Sequence, residues 1–145
     1  MKFLKITNEE DFDAHFQSEI WREIANQICL RHHIFFTELK RANSSDHIVF
    51  LIDDKLVLKI FRPFRNCFGR ELHALEFVGG KIDFRTPKVV EIGEFEGFDY
   101  LFTTQISGEL VTREMWLNLN EKEQIPFIQK LAIGLKQIHS LNADS

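Results

Sequence analysis

A single helical pattern, Cys67–Val78, interrupts a series of short strand-like segments, and this order restricts the fold more than any other feature. Three runs of β-branched, aromatic and other apolar residues precede it and two follow it, with turn-forming residues between most of them. A parallel sheet would need a helix between successive strands, and this order lacks those helices. We therefore predict an α+β fold with a five-stranded antiparallel sheet and one packed helix. The predicted strands are 33–40, Ile48–Ile52, 55–61, 88–93 and 100–106.

Helical patterns also lie before and after this central region. Thr7 and Glu10 have the spacing of a capping box, and an apolar residue recurs every fourth position from Ile20 to Ile28. A weakly helical stretch and a strong helix follow the last strand. The chain is thus divided into N-terminal helices at 1–33, a sheet domain at 34–108 and C-terminal helices at 109–145, with the weak helical stretch at 112–118 and the strong helix at 126–141.

The last predicted helix has an apolar stripe that is too large for a small domain to cover. Its members are Ile128, Leu131, Ala132, Leu135 and Ile138. Soluble monomers rarely expose a contiguous patch of this kind. We expect the stripe to be covered by self-association, by the N-terminal helices or by chain beyond residue 145.

Composition excludes several classes of protein. The chain has 145 residues, 44% of them hydrophobic, which is enough for one domain with a buried core. Its net charge of −4 argues against binding to nucleic acid or to an anionic membrane, and it has no run of 18 apolar residues. Acidic residues follow the N-terminus too closely for a signal peptide. Cys29 and Cys67 are expected to be buried free thiols in a cytoplasmic protein.

The third predicted strand contains a lysine among apolar residues. Because side chains alternate along a strand, Val57, Lys59 and Phe61 share one face. Taken alone, Lys59 is typical of a charged residue on a solvent-exposed strand face. The helix that follows changes this interpretation.

On that helix, a glutamate lies at the centre of an apolar stripe. Phe68, Glu71, Leu72, Leu75 and Val78 fall on one side of the helical wheel, so Phe68, Leu72 and Leu75 should be buried against the sheet. A carboxylate in such a place needs a partner. We predict an ion pair between Lys59 and Glu71, which is the arrangement that holds nucleotide phosphates in kinases.

The chain resembles the aminoglycoside phosphotransferase and choline kinase family, whose members are related to the protein kinases. The likeness covers about residues 35–141 and rests on five stretches in the family's order. They are Leu56-Val57-Leu58-Lys59, Gly69-Arg70-Glu71-Leu72 with Leu75, Thr86-Pro87-Lys88-Val89-Val90 with Gly93, 100–108, and the last helix from Leu131 to Leu141.

The resemblance implies a protein-kinase-like small lobe at 34–108 that binds ATP with Mg²⁺, followed by the start of a large lobe. It implies phosphate contacts from Lys59, oriented by Glu71. It also implies a turn with Ser44 and Ser45 over the phosphates, although an ordinary turn explains these serines equally well. The adenine would be covered by Ile48 and Val57, would lie near Thr103 at the gatekeeper position, and would bond to the carbonyl of Thr104 and the N–H of Ile106.

Two further features look functional but have simpler interpretations. Ile82-Asp83-Phe84 resembles the start of the family's metal-binding motif, yet it precedes Pro87 and lies in the small lobe, so we interpret it as a turn. His139 falls on the apolar side of the last helix and is expected to be a packed, hydrogen-bonded residue.

The family's catalytic loop, His-Gly-Asp followed by an asparagine, is not found in this sequence. None of the six histidines has an aspartate two residues later. We therefore expect no catalytic and no metal-ligating residues in this chain, and no activity from these 145 residues alone.

Three functions remain open at this point. The chain is the ATP-binding lobe of a phosphotransferase that acts on a small-molecule acceptor, a non-catalytic nucleotide sensor, or a protein-interaction module that uses its last helix.

Overall fold

The computed structural model describes residues 5–44 and 46–141, which form five strands and five helices. The α+β class and the five antiparallel strands are confirmed. The strands are β1 (Leu39–Arg41), β2 (Ile48–Ile52), β3 (Leu56–Ile60), β4 (Val89–Phe95) and β5 (Phe98–Thr104). The helices are α1 (Glu9–His15), α2 (Ile20–Arg31), α3 (Cys67–Val78), α4 (Arg113–Asn118) and α5 (Glu121–Ser140).

The strands form one antiparallel sheet in the order β1-β2-β3-β5-β4. Strand β3 is central and pairs with β2 on one side and β5 on the other. Residues that lie directly opposite one another in such pairs point to the same face. We call the face that carries Leu58 and Ile60 the rear face, and the face that carries Val57 and Lys59 the front face.

The main core lies between the rear face and the two N-terminal helices. The sequence analysis predicted these helices but not their packing against the sheet. Trp21, Ile24 and Ile28 of α2 are almost fully buried. They form one cluster with buried residues of every strand. That cluster includes Leu39, Phe50, Leu58, Ile60, Phe95, Tyr100 and Phe102. Because burial of apolar area drives folding, α1 and α2 are integral parts of this domain.

The capping residue of α1 lies one position later than predicted. The side chain of Asn8 accepts a hydrogen bond from the N–H of Asp11 at 2.8 Å, so Asn8 is the capping residue. Thr7 instead donates its N–H and its hydroxyl to the Asp11 carboxylate, at 2.9 and 2.6 Å. These bonds lower the pKa of Asp11.

Strand β1 is shorter than predicted and begins at Leu39. In the segment before it, the carboxylate of Asp53 accepts the backbone N–H groups of Thr37 and Glu38. A side chain thus satisfies donors that would otherwise enter the sheet ladder. Phe35, which the pattern placed in the strand, is 79% exposed.

Helix α3 has the predicted bounds but packs less deeply than expected. Phe68, Leu72 and Leu75 are only partly buried, so the prediction that they are core residues is wrong. The helix packs mainly on β4 and β5, on the side of the sheet opposite the main core. Cys67 is likewise only partly buried, whereas Cys29 is buried, and both are free thiols.

Helix α5 begins at Glu121, five residues before Pro126, where the sequence placed its start. A reciprocal capping box between Asn120 and Glu123 fixes its first turn. The apolar stripe stays open, since Ile128, Leu131 and Leu135 are each more than half exposed.

One loop contacts α5. Gln137 exchanges two hydrogen bonds with Asp83, at 2.8 and 2.9 Å, and the ring of Phe84 lies against Gly134. The interpretation of residues 82–84 as a turn is confirmed. His139 is exposed, so its predicted packed position is wrong. No helix within residues 5–44 and 46–141 combines the length and apolar character needed to cross a membrane.

Candidate functional site

An ion pair joins the central strand to the helix that follows it. The Nζ of Lys59 on β3 lies 2.5 Å from Oε2 of Glu71 on α3. Their side chains are 23% and 35% exposed, so both groups border solvent while contacting each other. The predicted pairing is confirmed. It leaves an oriented ammonium group at the open side of the front face.

Aromatic rings pack next to the lysine. The ammonium lies 5.1 Å from the centre of the Phe61 ring, within the range of a cation–π interaction. That ring also contacts His47 and Phe68, with centroid separations of 5.0 and 5.4 Å. Burial and the nearby charge of Lys59 lower the pKa of His47, which favours its neutral form.

The strand register brings three predicted site residues onto the front face. Val57 lies opposite Thr103 of β5, and Lys59 lies opposite Leu101. Thr103 is 8% exposed and Leu101 is 1% exposed, so this part of the face is covered. Val57 is partly exposed and can contact a ligand beside Lys59.

Ile48 was predicted on the ligand side, and the structure corrects this. It lies opposite Ile60, on the rear face, and is fully buried in the core beneath the N-terminal helices. The residues of β2 on the front face are Val49 and Leu51, which lie opposite Lys59 and Val57.

A one-residue slip in the β2–β3 hairpin explains the error. A plain two-residue turn at Asp53 and Asp54 would pair Ile52 with Lys55 and therefore Ile48 with Lys59. Both aspartates do adopt positive φ, and Lys55 closes the turn by donating its N–H to Ile52. Pairing then resumes at Leu56, so Lys55 acts as an extra residue. Each side chain of β2 therefore lies on the opposite face from the one that a two-residue turn would give.

The segment after β5 presents free backbone groups. The N–H of Thr104 donates to the carbonyl of Lys88, and the N–H of Lys88 returns to the hydroxyl of Thr104, not to its carbonyl. The N–H of Gln105 donates to the carbonyl of Lys55. Within the part of the chain that the structure describes, the carbonyl of Thr104 and the N–H of Ile106 have no hydrogen-bond partner. This segment is therefore held firmly and still offers one acceptor and one donor.

The predicted phosphate turn lies between β1 and β2. Ser44 is partly buried there and makes no hydrogen bond to Lys59 or Glu71. The prediction for Ser45 falls outside the described residues.

A charged cluster behind this turn was missed by the sequence analysis. Arg62 is buried and donates to Glu9 and Asp13 of α1, each at 2.7 Å, while Arg65 also donates to Glu9. These hydrogen bonds, led by that from Arg62, lower the pKa of Glu9. The acidic first turn of α1 was visible in the sequence, but nothing in its spacing shows that it meets residues more than 50 positions away.

Among residues 5–44 and 46–141, no group of three or more histidine, cysteine, aspartate or glutamate side chains is arranged to hold a metal ion. The polar groups at the front face are instead one cation, one paired carboxylate and backbone groups. This set suits an anionic ligand with a flat polar edge.

No family model and no curated protein matches this sequence. Solved structures do match its fold. The GDP complex of wild-type aminoglycoside 2'-phosphotransferase-IIIa has a TM-score of 0.75 at 13% identity, with 88% of this chain and 44% of that chain covered. ADP-bound aminoglycoside phosphotransferase APH(2'')-Ib has a TM-score of 0.61 at 27% identity, with 87% and 40% covered. The streptomycin–ATP–APH(2'')-IIa ternary complex has a TM-score of 0.61 at 27% identity, with 88% and 41% covered.

Each match includes most of this chain and less than half of the other protein. The chain therefore spans about two fifths of the length of these phosphotransferases. Together with the single antiparallel sheet and the strand–helix ion pair, this shows that the chain has a kinase-like small-lobe fold and is structurally similar to aminoglycoside phosphotransferases.

Proposed function

We propose that this chain is the nucleotide-binding lobe of a small-molecule phosphotransferase. The observation that carries the proposal is the Lys59–Glu71 ion pair, which fixes a cation on the open front face. In kinases an equivalent pair binds the phosphates of the nucleotide. The similar structures, described as GDP, ADP and ATP complexes, support the same assignment.

In this proposal each front-face group has one task. The ammonium of Lys59 binds phosphate oxygens, and Glu71 limits the positions that the ammonium can take. Val57, with Leu51 opposite it on β2, covers one side of the base. The carbonyl of Thr104 and the N–H of Ile106 bond to the polar edge of the base. Thr103 leaves room for the base because its side chain is small.

The described residues provide no clear ligands for magnesium. Glu71 is engaged with Lys59, and within residues 5–44 and 46–141 no carboxylate cluster fits a divalent cation. A Mg²⁺ that enters with the nucleotide would take its ligands from the phosphates and from water.

For the phosphate acceptor, we propose a chemical class and not a single compound. One similar protein, APH(2'')-IIa, is seen with streptomycin and ATP in one structure and with gentamicin in another. We propose a small hydroxylated or amino compound for the whole protein. The alternative, a nucleotide sensor or interaction module without catalysis, shares the front face and differs only in lacking phosphoryl transfer.

Titration of the ¹⁵N-labelled chain with ADP tests the proposal. We expect a weak affinity, with a dissociation constant on the order of 1 mM, because one lobe supplies only half of a cleft. Amide shifts should concentrate at Val57, Lys59, Thr103 and Ile106. Ile28 of α2, in the core on the rear side of the sheet, should not respond.

Lys59→Ala should abolish these shifts, whereas Lys130→Ala on exposed α5 should leave them unchanged. The pair borders solvent, so the loss of Lys59 should cost only about 0–1 kcal/mol of folding stability. A Lys59→Ala chain that is folded and binds ADP as tightly as the natural chain contradicts the proposal.

A further inference from the structure

We propose that Arg62 is a positioning residue for the nucleotide site, because it fastens the β1–β2 turn to α1 and so holds that turn in place over the phosphates. This inference rests on the proposed function. It assigns a role in ligand binding to α1, although Lys59 and Glu71 bond to each other and not to that helix.

Arg62 has several charged and polar partners although it lies just beyond the end of β3. Its side chain is 6% exposed. One guanidinium nitrogen, Nη1, donates to Glu9 and to Asp13, each at 2.7 Å. The guanidinium carbon lies 4.6 Å from the centre of the Phe12 ring. Desolvation lowers the pKa of Arg62, but the bonds to Glu9 and Asp13 outweigh it and the net shift is upward. The cation is thus firmly bound to α1.

The other contacts of Arg62 reach the turn. Its Nε donates to the backbone carbonyl of Asp46 at 3.2 Å, and its backbone N–H donates to Nδ1 of His47 at 3.2 Å. Since Nδ1 accepts, the neutral imidazole carries its proton on Nε2, which lies 3.3 Å from the Asp46 carboxylate. Both residues that connect the turn to β2 are therefore held by one arginine.

The same arrangement extends to the phosphate-binding lysine. The ring of His47 packs on Phe61, and the ammonium of Lys59 lies 5.1 Å from the centre of the same Phe61 ring. Arg62 follows Phe61 directly in the chain. Loosening of Arg62 should therefore disturb the turn first and Lys59 second, while the segment after β5 is held by separate bonds to Lys55 and Lys88.

Arg65 adds a second fastening to the same helix. It donates to both oxygens of Glu9, at 2.7 and 3.2 Å. Glu9 is thus shared by two arginines, and its loss should weaken both. This makes Glu9→Gln an independent way to loosen the turn without removing a buried cation.

The experiment compares Arg62→Lys and Glu9→Gln with the control Arg31→Lys. Lysine keeps the charge but cannot bond to α1 and the turn together. Arg31 is a suitable control, because it too bonds a backbone carbonyl, that of Glu94, and lies 5.0 Å from the Phe95 ring, but it is at the far edge of the sheet. Each chain is titrated with ADP and with adenosine, and amide hydrogen exchange is measured without ligand.

We expect Arg62→Lys to weaken ADP binding roughly tenfold and to leave adenosine binding within about twofold, because adenosine has no phosphates for the turn to contact. Exchange at residues 46–48 should become faster, with the centre of β3 unchanged. Glu9→Gln should do the same to a smaller extent, and Arg31→Lys should do neither.

Equal weakening of ADP and adenosine, in either variant, would mean that Arg62 only stabilises the fold, and it overturns the inference. Unchanged exchange at residues 46–48 in both variants also overturns it. If Arg62→Lys does not fold, Glu9→Gln decides by the same two criteria. A natural chain that binds neither ligand defeats the proposed function, and with it the phosphate role of Arg62, while the exchange data still show whether the arginine holds the turn.

Discussion

On the rear face of the sheet, two helices bury a continuous set of aromatic and branched side chains, whereas on the front face one helix covers apolar and charged groups together. Trp21, Ile24 and Ile28 are almost fully buried on the rear, but no residue of α3 is fully buried on the front. The same five strands thus have a stabilising side and a side that stays partly open. A binding site needs the second kind of surface, and the first kind provides the stability that permits it.

Truncation of a buried side chain that packs on the rear side of the sheet should have the largest effect on stability. Trp21 is 1% exposed, its Nε1 donates to the carbonyl of His15, and its rings contact Phe12 and Phe98. Trp21→Ala should lower the free energy of unfolding by roughly 3–5 kcal/mol. Urea denaturation followed by circular dichroism measures it. A loss below about 1 kcal/mol would show that the N-terminal helices are not part of the main core.

The matching substitution on the front face should cost much less. Leu75 of α3 is only partly buried, so Leu75→Ala removes less apolar contact than Trp21→Ala does. We expect a loss of about 1 kcal/mol, measured in the same denaturation series. A loss equal to that of Trp21→Ala would remove the difference between the two faces.

The front and rear faces also differ in how well the sequence predicted them. The bounds of α3 and the Lys59–Glu71 pair followed from local patterns, since a carboxylate within an apolar stripe needs a partner. The face of Ile48 did not follow, because it depends on one extra residue, Lys55, in a turn whose geometry the sequence does not reveal. The Arg62 cluster did not follow either, because its members come from three distant segments. Local periodicity predicts elements, but register and long-range charge pairing require the folded chain.

Acid should lower the free energy of unfolding through His47. Burial lowers its folded pKa below the usual 6.5, so the unfolded chain takes up a proton that the native chain does not. The stability from neutral His47 is therefore present above pH 6.5 and is lost as the pH falls towards the folded pKa. His47→Gln should flatten the change in unfolding free energy between pH 7 and pH 5, as measured by urea denaturation at each pH. An unchanged slope, or a steeper one, would contradict this.

The smallest effect on stability is expected from the apolar stripe of α5, which belongs to neither face. Leu135 is 56% exposed, and the contacts of its helix with the loop at 82–84 run through Gly134 and Gln137 instead. Leu135→Gln should therefore change the unfolding free energy by less than about 0.5 kcal/mol. It should nevertheless reduce self-association, since burial of the stripe between copies removes apolar area from water. Light scattering over a range of concentrations should show an average mass that rises for the natural chain and for the exposed control Lys136→Gln, but less for Leu135→Gln. A natural chain that stays monomeric at every concentration would show that the stripe tolerates water and does not drive association.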